Sequence, residues 1–297
     1  MTLDFQPILL EGQDEYRQRL RLMPQVSSDY SFVHLWSWRD EHQLEWAWTE
    51  DLVWIRQKYP SQMFWAPVGP WESLDWKRVF QDPAWQSVQF TRIPETLAAL
   101  WDKTFSGNSG LESNRDDWDY LYSVQELIEL KGNRFHRKKN LLRQFIRKYD
   151  YAYWPLTEER VEKALTLQTE WCLWRDCEDS TTLEAENRAI LKVLSSWQDL
   201  KGVFGAGLAV DGNMVAFTIA EPLLESTVLI HFEKGCPAHK GVYQAINQLF
   251  LANSASHFST VNREQDIGDS GLRKAKESYN PSSYLKKYKG PLCSKNT

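Results

Sequence analysis

The sequence predicts a mixed α/β fold in which helices cover both faces of a β-sheet. The clearest signal is a β-hairpin, in which the apolar runs Val203–Val210 and Met214–Glu221 flank Asp211-Gly212-Asn213. Asp-Gly between apolar runs favours a tight hairpin turn because both residues tolerate positive φ. A third strand at Thr227–Phe232 and a helix at Gly241–Ala255 follow. Antiparallel strands followed by a strand–helix crossover indicate a mixed sheet.

The rest of the chain supplies further elements of the same two kinds, read from apolar periodicity and from capping and turn residues. In the first half we expect helices at Asp14–Met23, from Ser27-Ser28-Asp29 to Trp38, at Trp71–Gln81, Pro94–Lys103 and Val124–Leu130, and strands at Leu44–Trp48, Leu52–Lys58, Met63–Val68 and Tyr120–Tyr122. In the second half we expect strands at Asp150–Trp154, Ser259–Asn262 and Tyr284–Tyr288, and helices at Thr157–Trp174, Thr182–Trp197 and Gly271–Ser278. Two halves of similar content predict an N-terminal domain at 1–130 and a C-terminal domain at 150–297.

A basic helix at 131–149 is expected to connect these domains. The chain has a net charge of −5, yet residues 131–148 carry +8 without one acidic residue and residues 270–297 carry +6, which leaves −19 elsewhere. Such segregation indicates localised contacts with anions rather than binding of nucleic acid over the whole surface. The helix could dock a phosphate backbone, or it could be a solvated helix packed against the acidic body.

Composition excludes several classes of protein. A chain of 297 residues with 42% hydrophobic residues can bury a large core, and 25% charged residues are typical of globular proteins. The N-terminus lacks the basic start of a signal peptide, and no run of about 18 apolar residues occurs, so a cytoplasmic protein is expected. The four cysteines, Cys172, Cys177, Cys236 and Cys293, have no metal-binding spacing and are expected to be reduced thiols, with no metal site.

Three segments carry a resemblance to a known family: SDYSFVHLWSW (28–38), DYLYSVQELIELKGNRFHRKKN (119–140) and NREQDIGDSGLRKAKESYNP (262–281). The chain resembles, from about Phe5 to Lys289, the bacterial proteins grouped with the C-terminal domain of phosphatidylglycerol lysyltransferases. The resemblance implies tandem domains of the GNAT (N-acetyltransferase-like) fold, as in the Fem peptidoglycan aminoacyltransferases. It also implies transfer of an aminoacyl group from tRNA to an amine or hydroxyl.

The resemblance supplies a fold and a reaction class rather than a substrate. We expect no membrane-spanning part of the kind that the lipid synthases have. We expect an activated donor, either aminoacyl-tRNA or acyl-CoA, no tightly bound cofactor, and a small-molecule, lipid or peptide acceptor. The alternative is a GNAT-like protein that has lost its chemistry and binds a ligand or RNA.

A first candidate site lies where a strand ends and a helix begins, at Lys234 and at Lys240-Gly241. The resemblance implies that this junction could present helix N-terminal amides to the pyrophosphate of a donor, and such amides do attract anions. The segment reads C-P-A-H-K-G-V, however, and lacks the usual acetyl-CoA signature of GNAT proteins. A plain helix start is the alternative.

A second candidate site follows the short strand that ends near Asn262. In an extended chain, Glu264 and Asp266 point to the same face as Asn262. Paired carboxylates could deprotonate an acceptor amine or bind a cationic aminoacyl group, and Asn262 could hold a carbonyl. The alternative is a solvated loop whose acids cap a helix.

A third set of candidates is basic. Arg273, Lys274 and Tyr279 loosely resemble a basic–aromatic segment that contacts donor phosphates in Fem-like enzymes, although Lys274 could instead pair with Glu264 or Asp266. Lys138 and Lys139, followed by Asn, resemble a basic element of the same group. His231, on a strand, is expected to be a core histidine with its hydrogen bonds satisfied.

Overall fold

The computed structural model describes residues 3–85, 88–107 and 109–292, and the chain forms two compact units. The first unit takes residues 1–119, 265–269 and 284–297, and the second takes residues 120–264 and 270–283. The basic helix therefore belongs to the second unit. The sequence-based division at 1–130, 131–149 and 150–297 stays a prediction.

Within the described residues there are fourteen strands and ten α-helices. The strands are β1 Gln6–Pro7, β2 Glu45–Trp48, β3 Val53–Gln57, β4 Met63–Trp65, β5 Gln89–Pro94, β6 Glu112–Ser113, β7 Asp119–Ser123, β8 Tyr151–Pro155, β9 Phe204–Val210, β10 Asn213–Leu224, β11 Thr227–Gly235, β12 Thr260–Asn262, β13 Ser283–Leu285 and β14 Lys287–Pro291. The helices are α1 Gln13–Leu20, α2 Phe32–His42, α3 Trp76–Val79, α4 Glu95–Thr104, α5 Val124–Glu129, α6 His136–Lys148, α7 Glu158–Arg175, α8 Thr181–Ser195, α9 Val242–Ser254 and α10 Ser270–Glu277.

The strands form two seven-stranded sheets, ordered β1-β2-β3-β4-β5-β14-β6 and β13-β7-β12-β11-β10-β9-β8. Both are mixed, because β4 and β5 pair in parallel in the first sheet and β11 and β12 do so in the second, among antiparallel neighbours. The mixed α/β class predicted from the sequence is confirmed.

The predicted hairpin is present between β9 and β10. Val210 pairs with Asn213, so Asp211 and Gly212 form a two-residue turn with φ of 50° and 78°. Positive φ at both positions is the requirement that makes Asp-Gly a hairpin signal.

Two expected helices are shorter than predicted, and features close in the sequence explain both. The helix expected at 71–81 is a 3₁₀ turn followed by the single turn α3, because the Trp71 indole donates to the Pro67 carbonyl and the Trp76 indole donates to the Trp71 carbonyl. Strand β5 was not expected at all. The helix expected from 131 begins only at His136, because Gly132 has a φ of 85° and a 3₁₀ turn precedes α6.

The core of the first unit is largely aromatic. The rings of Trp76, Phe80 and Trp101 lie within 5.7 Å of one another by centroid, and Phe90 and Trp85 extend the cluster. Edge-to-face arrangements of this kind add roughly 0.5–1.5 kcal/mol per pair to the burial of apolar surface.

The expectation of reduced thiols is wrong for two cysteines. Cys172, in the last turn of α7, and Cys177, just after it, form a disulfide with Cα atoms 5.0 Å apart. The helix ends at Asp176 in a left-handed conformation, which turns the chain back over its own last turn. Cys236 is a buried free thiol, and Cys293 lies outside the described residues.

A cluster of charged side chains lies fully buried in the first unit. Lys287 on β14 bonds to Asp29 before α2 and to Asp119, the latter at 2.7 Å, and all three side chains have no exposed area. Arg92 on β5 makes a second ion pair with Asp29. Burial opposes the charge on Asp29, yet Lys287 and Arg92 outweigh it and hold the pKa of Asp29 well below its ordinary value.

Polar side chains complete the cluster. The Ser28 amide and hydroxyl donate to Asp119 at 2.8 and 2.7 Å, and the amide group of Gln265 lies 3.1 Å from the Ser28 hydroxyl. Buried charges that are paired and hydrogen-bonded in this way are tolerated, whereas one left without its partner is strongly destabilising.

Replacing Lys287 with Met should lower the free energy of unfolding by about 3–5 kcal/mol, because Asp29 and Asp119 would keep their burial and lose their shared cation. Urea denaturation measures the change. Lys289→Met, at an exposed position two residues away on the same strand, is the matched control and should change stability by less than about 0.5 kcal/mol. Equal effects of the two substitutions would contradict a special role for the cluster.

Candidate functional site

The second unit contains two parallel strands that separate at one end. Strands β11 and β12 pair from Thr227 with Thr260 to Leu229 with Asn262, after which β11 continues to Gly235 and β12 stops. The Asn262 side chain accepts the Glu264 amide at 2.8 Å, and Glu264 has a φ of 55°. This turn places the Arg263 side chain beside Glu233 and the Glu264 side chain beside His231, both on β11.

Arg263 lies at the centre of a mixed polar and aromatic group. Its Nη2 donates to Glu233 on β11 at 3.1 Å, and the other Glu233 oxygen accepts from Asn247 on α9 at 3.0 Å. The guanidinium lies 4.9 Å from the ring centre of Tyr279, and Lys138 lies 4.0 Å from the same ring. We call these five residues the Arg263 cluster.

Two donors of the Arg263 cluster are suited to an anionic ligand. The Nη1 atom of Arg263 is buried without a hydrogen-bond partner of good geometry, although the Tyr279 hydroxyl also interacts with the guanidinium, and an unsatisfied buried donor of this kind calls for an explanation such as a ligand. Burial, together with the neighbouring Arg263 charge, lowers the pKa of Lys138 to about 8. An anion bound between these two groups would accept a hydrogen bond from the Arg263 Nη1 and would stabilise the charged form of Lys138.

His231 lies between two carboxylates. Its Nε2 is 3.0 Å from Glu221 and its Nδ1 is 2.9 Å from Glu264. Burial opposes its charge, but the hydrogen bonds to Glu221 and Glu264 outweigh burial and raise the pKa of His231 to about 9. At neutral pH it is therefore an imidazolium that holds Glu264 in place rather than a general base, which agrees with the expectation of a satisfied core histidine.

His231 should make stability depend on pH. Its pKa rises from about 6.5 in the unfolded chain to about 9 in the fold. The stabilisation, on the order of 3 kcal/mol, should be complete below about pH 6.5 and should disappear as pH rises to about 9.

The variant His231→Gln should therefore be less stable than the unaltered chain at pH 6, and the difference should shrink towards pH 9 in urea titrations. His257→Gln, at an exposed position, controls for the loss of an imidazole. A stability difference that stays constant over this pH range would contradict the charged state of His231.

The two predicted carboxylates do not form a pair on one strand face, since the positive φ at Glu264 breaks the extended chain. Glu264 bonds to His231 in the second unit. Asp266 belongs to the first unit, is fully buried, pairs with Arg115 at 3.3 Å and accepts the Gly268 amide at 2.9 Å. Asn262 stabilises the turn itself. A chemical role for these three residues stays a prediction.

Lys234 is engaged inside the second unit. It donates to Glu186 on α8 at 2.7 Å, and its Nζ lies 3.8 Å from the ring centre of Trp171 on α7. Burial outweighs the attraction of Glu186 and lowers the pKa of Lys234. These contacts hold β11 against two helices, and the predicted contact of Lys234 with a donor would require breaking them.

The start of α9 is covered by α6. Gly241 has a φ of 88°, and a Cβ atom there would lie 2.2 Å from the Leu141 carbonyl oxygen. Glycine is therefore required for close packing of the two helices. Lys240, beside this contact, lines an open depression, and binding of a donor at Lys240 and Gly241 stays a prediction.

A pair of alanine substitutions can separate packing from backbone strain. Gly241→Ala and Gly212→Ala both place a Cβ on a residue with positive φ, but nothing lies within 4 Å of the Cβ at Gly212. Gly212→Ala should cost about 1 kcal/mol, and Gly241→Ala should cost about 3 kcal/mol. Thermal melts compare them, and equal losses would show that α6 does not approach α9 so closely.

The remaining predicted residues occupy different environments. Tyr279 is buried, burial is the main cause that raises its pKa to about 12, and its hydroxyl accepts a hydrogen bond from Gln244 at 3.4 Å.

Lys274 is exposed, and its alternative partners, Glu264 and Asp266, are bonded elsewhere. Arg273 and Lys139 are partly buried on α10 and α6. The contact that does brace the turn comes from Lys276, which donates to the Arg263 and Glu264 carbonyls.

Arg263 and Glu233 were missed by the sequence analysis. Arg263 lies inside the segment 262–281, between two residues that were singled out, and Glu233 directly precedes Lys234. A buried Arg–Glu pair has no signature in one sequence, because the two residues are 30 positions apart and meet only when β11 and β12 are neighbours.

Comparison with known proteins supports the architecture. A family model described as "Phosphatidylglycerol lysyltransferase, C-terminal" matches residues 20–289. An uncharacterised protein of Mycoplasmoides gallisepticum is 23% identical over 57% of this chain, and the match spans only about half (54%) of that relative's length.

Three solved structures are similar over nearly the whole chain. A conserved protein of unknown function from Bacteroides thetaiotaomicron is 29% identical, with a TM-score of 0.88 and coverage of 98% of this chain and 100% of the other. L-PGS from Bacillus licheniformis is 14% identical, with a TM-score of 0.63 and coverage of 96% and 92%. A tandem GNAT protein from the clavulanic acid biosynthesis pathway is 9% identical, with a TM-score of 0.50 and coverage of 98% and 99%. The tandem GNAT-like fold is confirmed.

Proposed function

Because the chain belongs to the family of phosphatidylglycerol lysyltransferase C-terminal domains, we propose that it transfers an aminoacyl group from aminoacyl-tRNA to an amine or hydroxyl acceptor. The observation that carries the proposal is the Arg263 cluster, in which a buried, unpartnered arginine N–H and a lysine with a pKa of about 8 face one tyrosine ring. The acceptor would be a small molecule, a lipid or a peptide. We place the reaction in the cytoplasm, where such a donor is made.

The groups of the site suit acyl transfer from an ester, which is aminolysis for an amine acceptor and transesterification for a hydroxyl acceptor. The acceptor nitrogen or oxygen forms a bond to the donor carbonyl carbon, the ester C–O bond breaks, and the tRNA hydroxyl leaves. The Nη1 donor of Arg263 would stabilise the negative charge that develops on the carbonyl oxygen. Lys138, mostly protonated at pH 7, would give its proton to the departing oxygen, and Glu264 would accept the acceptor's proton.

The choice of donor rests on the start of α9. The family resemblance of the fold allows acyl-CoA as a donor, but the segment at this junction reads C-P-A-H-K-G-V and lacks the usual acetyl-CoA signature of GNAT proteins. We therefore favour aminoacyl-tRNA over acyl-CoA.

Among the residues that the structure describes, no helix combines the length and apolar character needed to cross a bilayer.

The test is a transfer assay with the full chain. Radiolabelled aminoacyl-tRNA and radiolabelled acetyl-CoA are offered separately with phosphatidylglycerol vesicles, small amines and peptides as acceptors. We expect label to leave only the tRNA. Arg263→Lys should slow transfer about 10- to 100-fold, since a hydrogen bond to a charged group contributes roughly 1.5–3 kcal/mol. Transfer only from acetyl-CoA, or no transfer from either donor, would overturn the proposal.

Lys138 predicts the pH dependence of the reaction. Transfer by the unaltered chain should fall as pH rises through about 8, because Lys138 loses the proton that the leaving oxygen requires. Lys138→Met should be slow at all pH values and should lack this alkaline limb, while Lys163→Met, at an exposed position on α7, should keep it. An alkaline limb that persists in Lys138→Met would exclude Lys138 as the acid.

A second candidate is a protein that binds such a donor without turnover. The engagement of Glu264 by a charged His231 favours it, because a carboxylate beside an imidazolium is a weaker base. Stabilisation of the fold by tRNA in thermal melts, with no label transferred to any acceptor, would support binding alone.

A further inference from the structure

Helix α6 carries an unusual set of cations. Residues 131–148 contain eight Lys or Arg and no acid. Two of the eight, Lys131 and Arg134, precede the helix and pair with Glu129 and Glu126. Within the described part of the chain no carboxylate pairs with any cation of α6 itself. The helical cations are Arg137, Lys138, Lys139, Arg143, Arg147 and Lys148.

These cations work against the stability of the helix that bears them. Lys139, Arg143 and Arg147 follow one another at intervals of four residues, which brings like charges together on one face. Because four residues rise about 6 Å, the three form a basic row about 12 Å long. A polyanion that lies along the row would offset the repulsion among these three cations.

The row continues into a depression on the same unit. Gln144, Arg147, Lys148 and Lys240 line an open cavity of about 410 Å³. Three cations and an amide face it, and no acidic residue lines it. Burial, with the nearby Lys148 charge as the second cause, lowers the pKa of His239 beside Lys240. The charge of Lys148 at this end of α6 therefore contributes to disfavouring a second positive charge on His239.

The apolar face of α6 is already used. Leu142 and Phe145 are buried, and Ile146 is the one large apolar side chain of this helix that is more than a third exposed. A helix that lies in a membrane surface needs an exposed apolar face to insert among the acyl chains. Apart from Ile146, the exposed side chains of α6 are charged or polar, which suits a phosphate backbone in water.

We infer that the outer face of α6, together with Lys240, is a docking surface for the phosphate backbone of a folded RNA. This surface is separate from the Arg263 cluster, and of the α6 cations only Lys138 contributes to that cluster. The inference rests on the proposed function for the identity of the RNA as the aminoacyl donor, but RNA binding by this surface does not require turnover.

The surface is tested by replacing Lys139, Arg143 and Arg147 together with Gln in the full chain. Binding of a 5′-labelled, uncharged tRNA transcript is followed by fluorescence anisotropy at several salt concentrations. Each phosphate contact contributes about one unit to the slope of log affinity against log salt, so the variant should lose about three units of slope and bind at least about tenfold more weakly. The matched control has the same change of net charge at three exposed cations elsewhere, namely Lys77→Gln, Arg78→Gln and Lys163→Gln.

The outcomes separate this inference from the proposed function. Equal loss of tRNA affinity in the variant and its control would show only a general effect of net charge and would overturn the inference that α6 is the docking surface. The unaltered chain is also tested for binding to vesicles of phosphatidylcholine and phosphatidylglycerol in equal parts. If the variant loses vesicle binding but keeps its affinity for tRNA, the inference of an RNA surface is overturned in favour of a membrane surface. Loss of tRNA affinity in the variant would support it, even if the unaltered chain transfers nothing from charged tRNA.

Discussion

The fold of the first unit depends on one buried cation. Lys287 has no contact with water and bonds to Asp29 and Asp119, which lie 258 and 168 positions earlier in the chain. Asp29, Asp119 and Gln265 each come from a different one of the three segments that carry the family resemblance. Charged residues deep in a protein specify an arrangement more strongly than apolar ones do, because any alternative packing leaves one of them unpaired. The motif residues therefore reflect this geometric requirement at least as much as any chemistry.

Elements with local causes could be predicted from the sequence. The β9–β10 hairpin follows from Asp211-Gly212, and α7, α8 and α9 follow from apolar periodicity, with ends within two residues of those observed. Elements with remote causes could not. Strand β5 is extended because it pairs with β4 and β14. The chain at 71–81 was mispredicted for a local reason, since its indole hydrogen bonds span only four and five residues. The disulfide depends on a helix end that no spacing rule describes.

The candidate site shows the same division. The turn itself was predicted correctly from the sequence, since β12 ends at Asn262 and residues 263–266 follow it. It assumed an extended backbone, however, and the positive φ of Glu264 sends the two carboxylates to different partners. The Arg263 cluster could not be found because its members come from β11, the turn after β12, α6, α9 and the segment after α10. The pairing of β11 with β12 brings Arg263 to Glu233, and the packing of the helices brings the other members to them.

The position of β14 has a consequence for how the protein is made. In the sheet of the first unit, β14 lies between β5 and β6, and it carries the lysine that neutralises the buried acids. A ribosome synthesises residues 287–291 after every other strand of this sheet. The sheet of the first unit therefore cannot be completed until the second unit has been translated. The strands β8 to β12 of the second unit are neighbours both in the chain and in the sheet, so the second unit can fold first. The first unit can complete its sheet only after β14 has been synthesised.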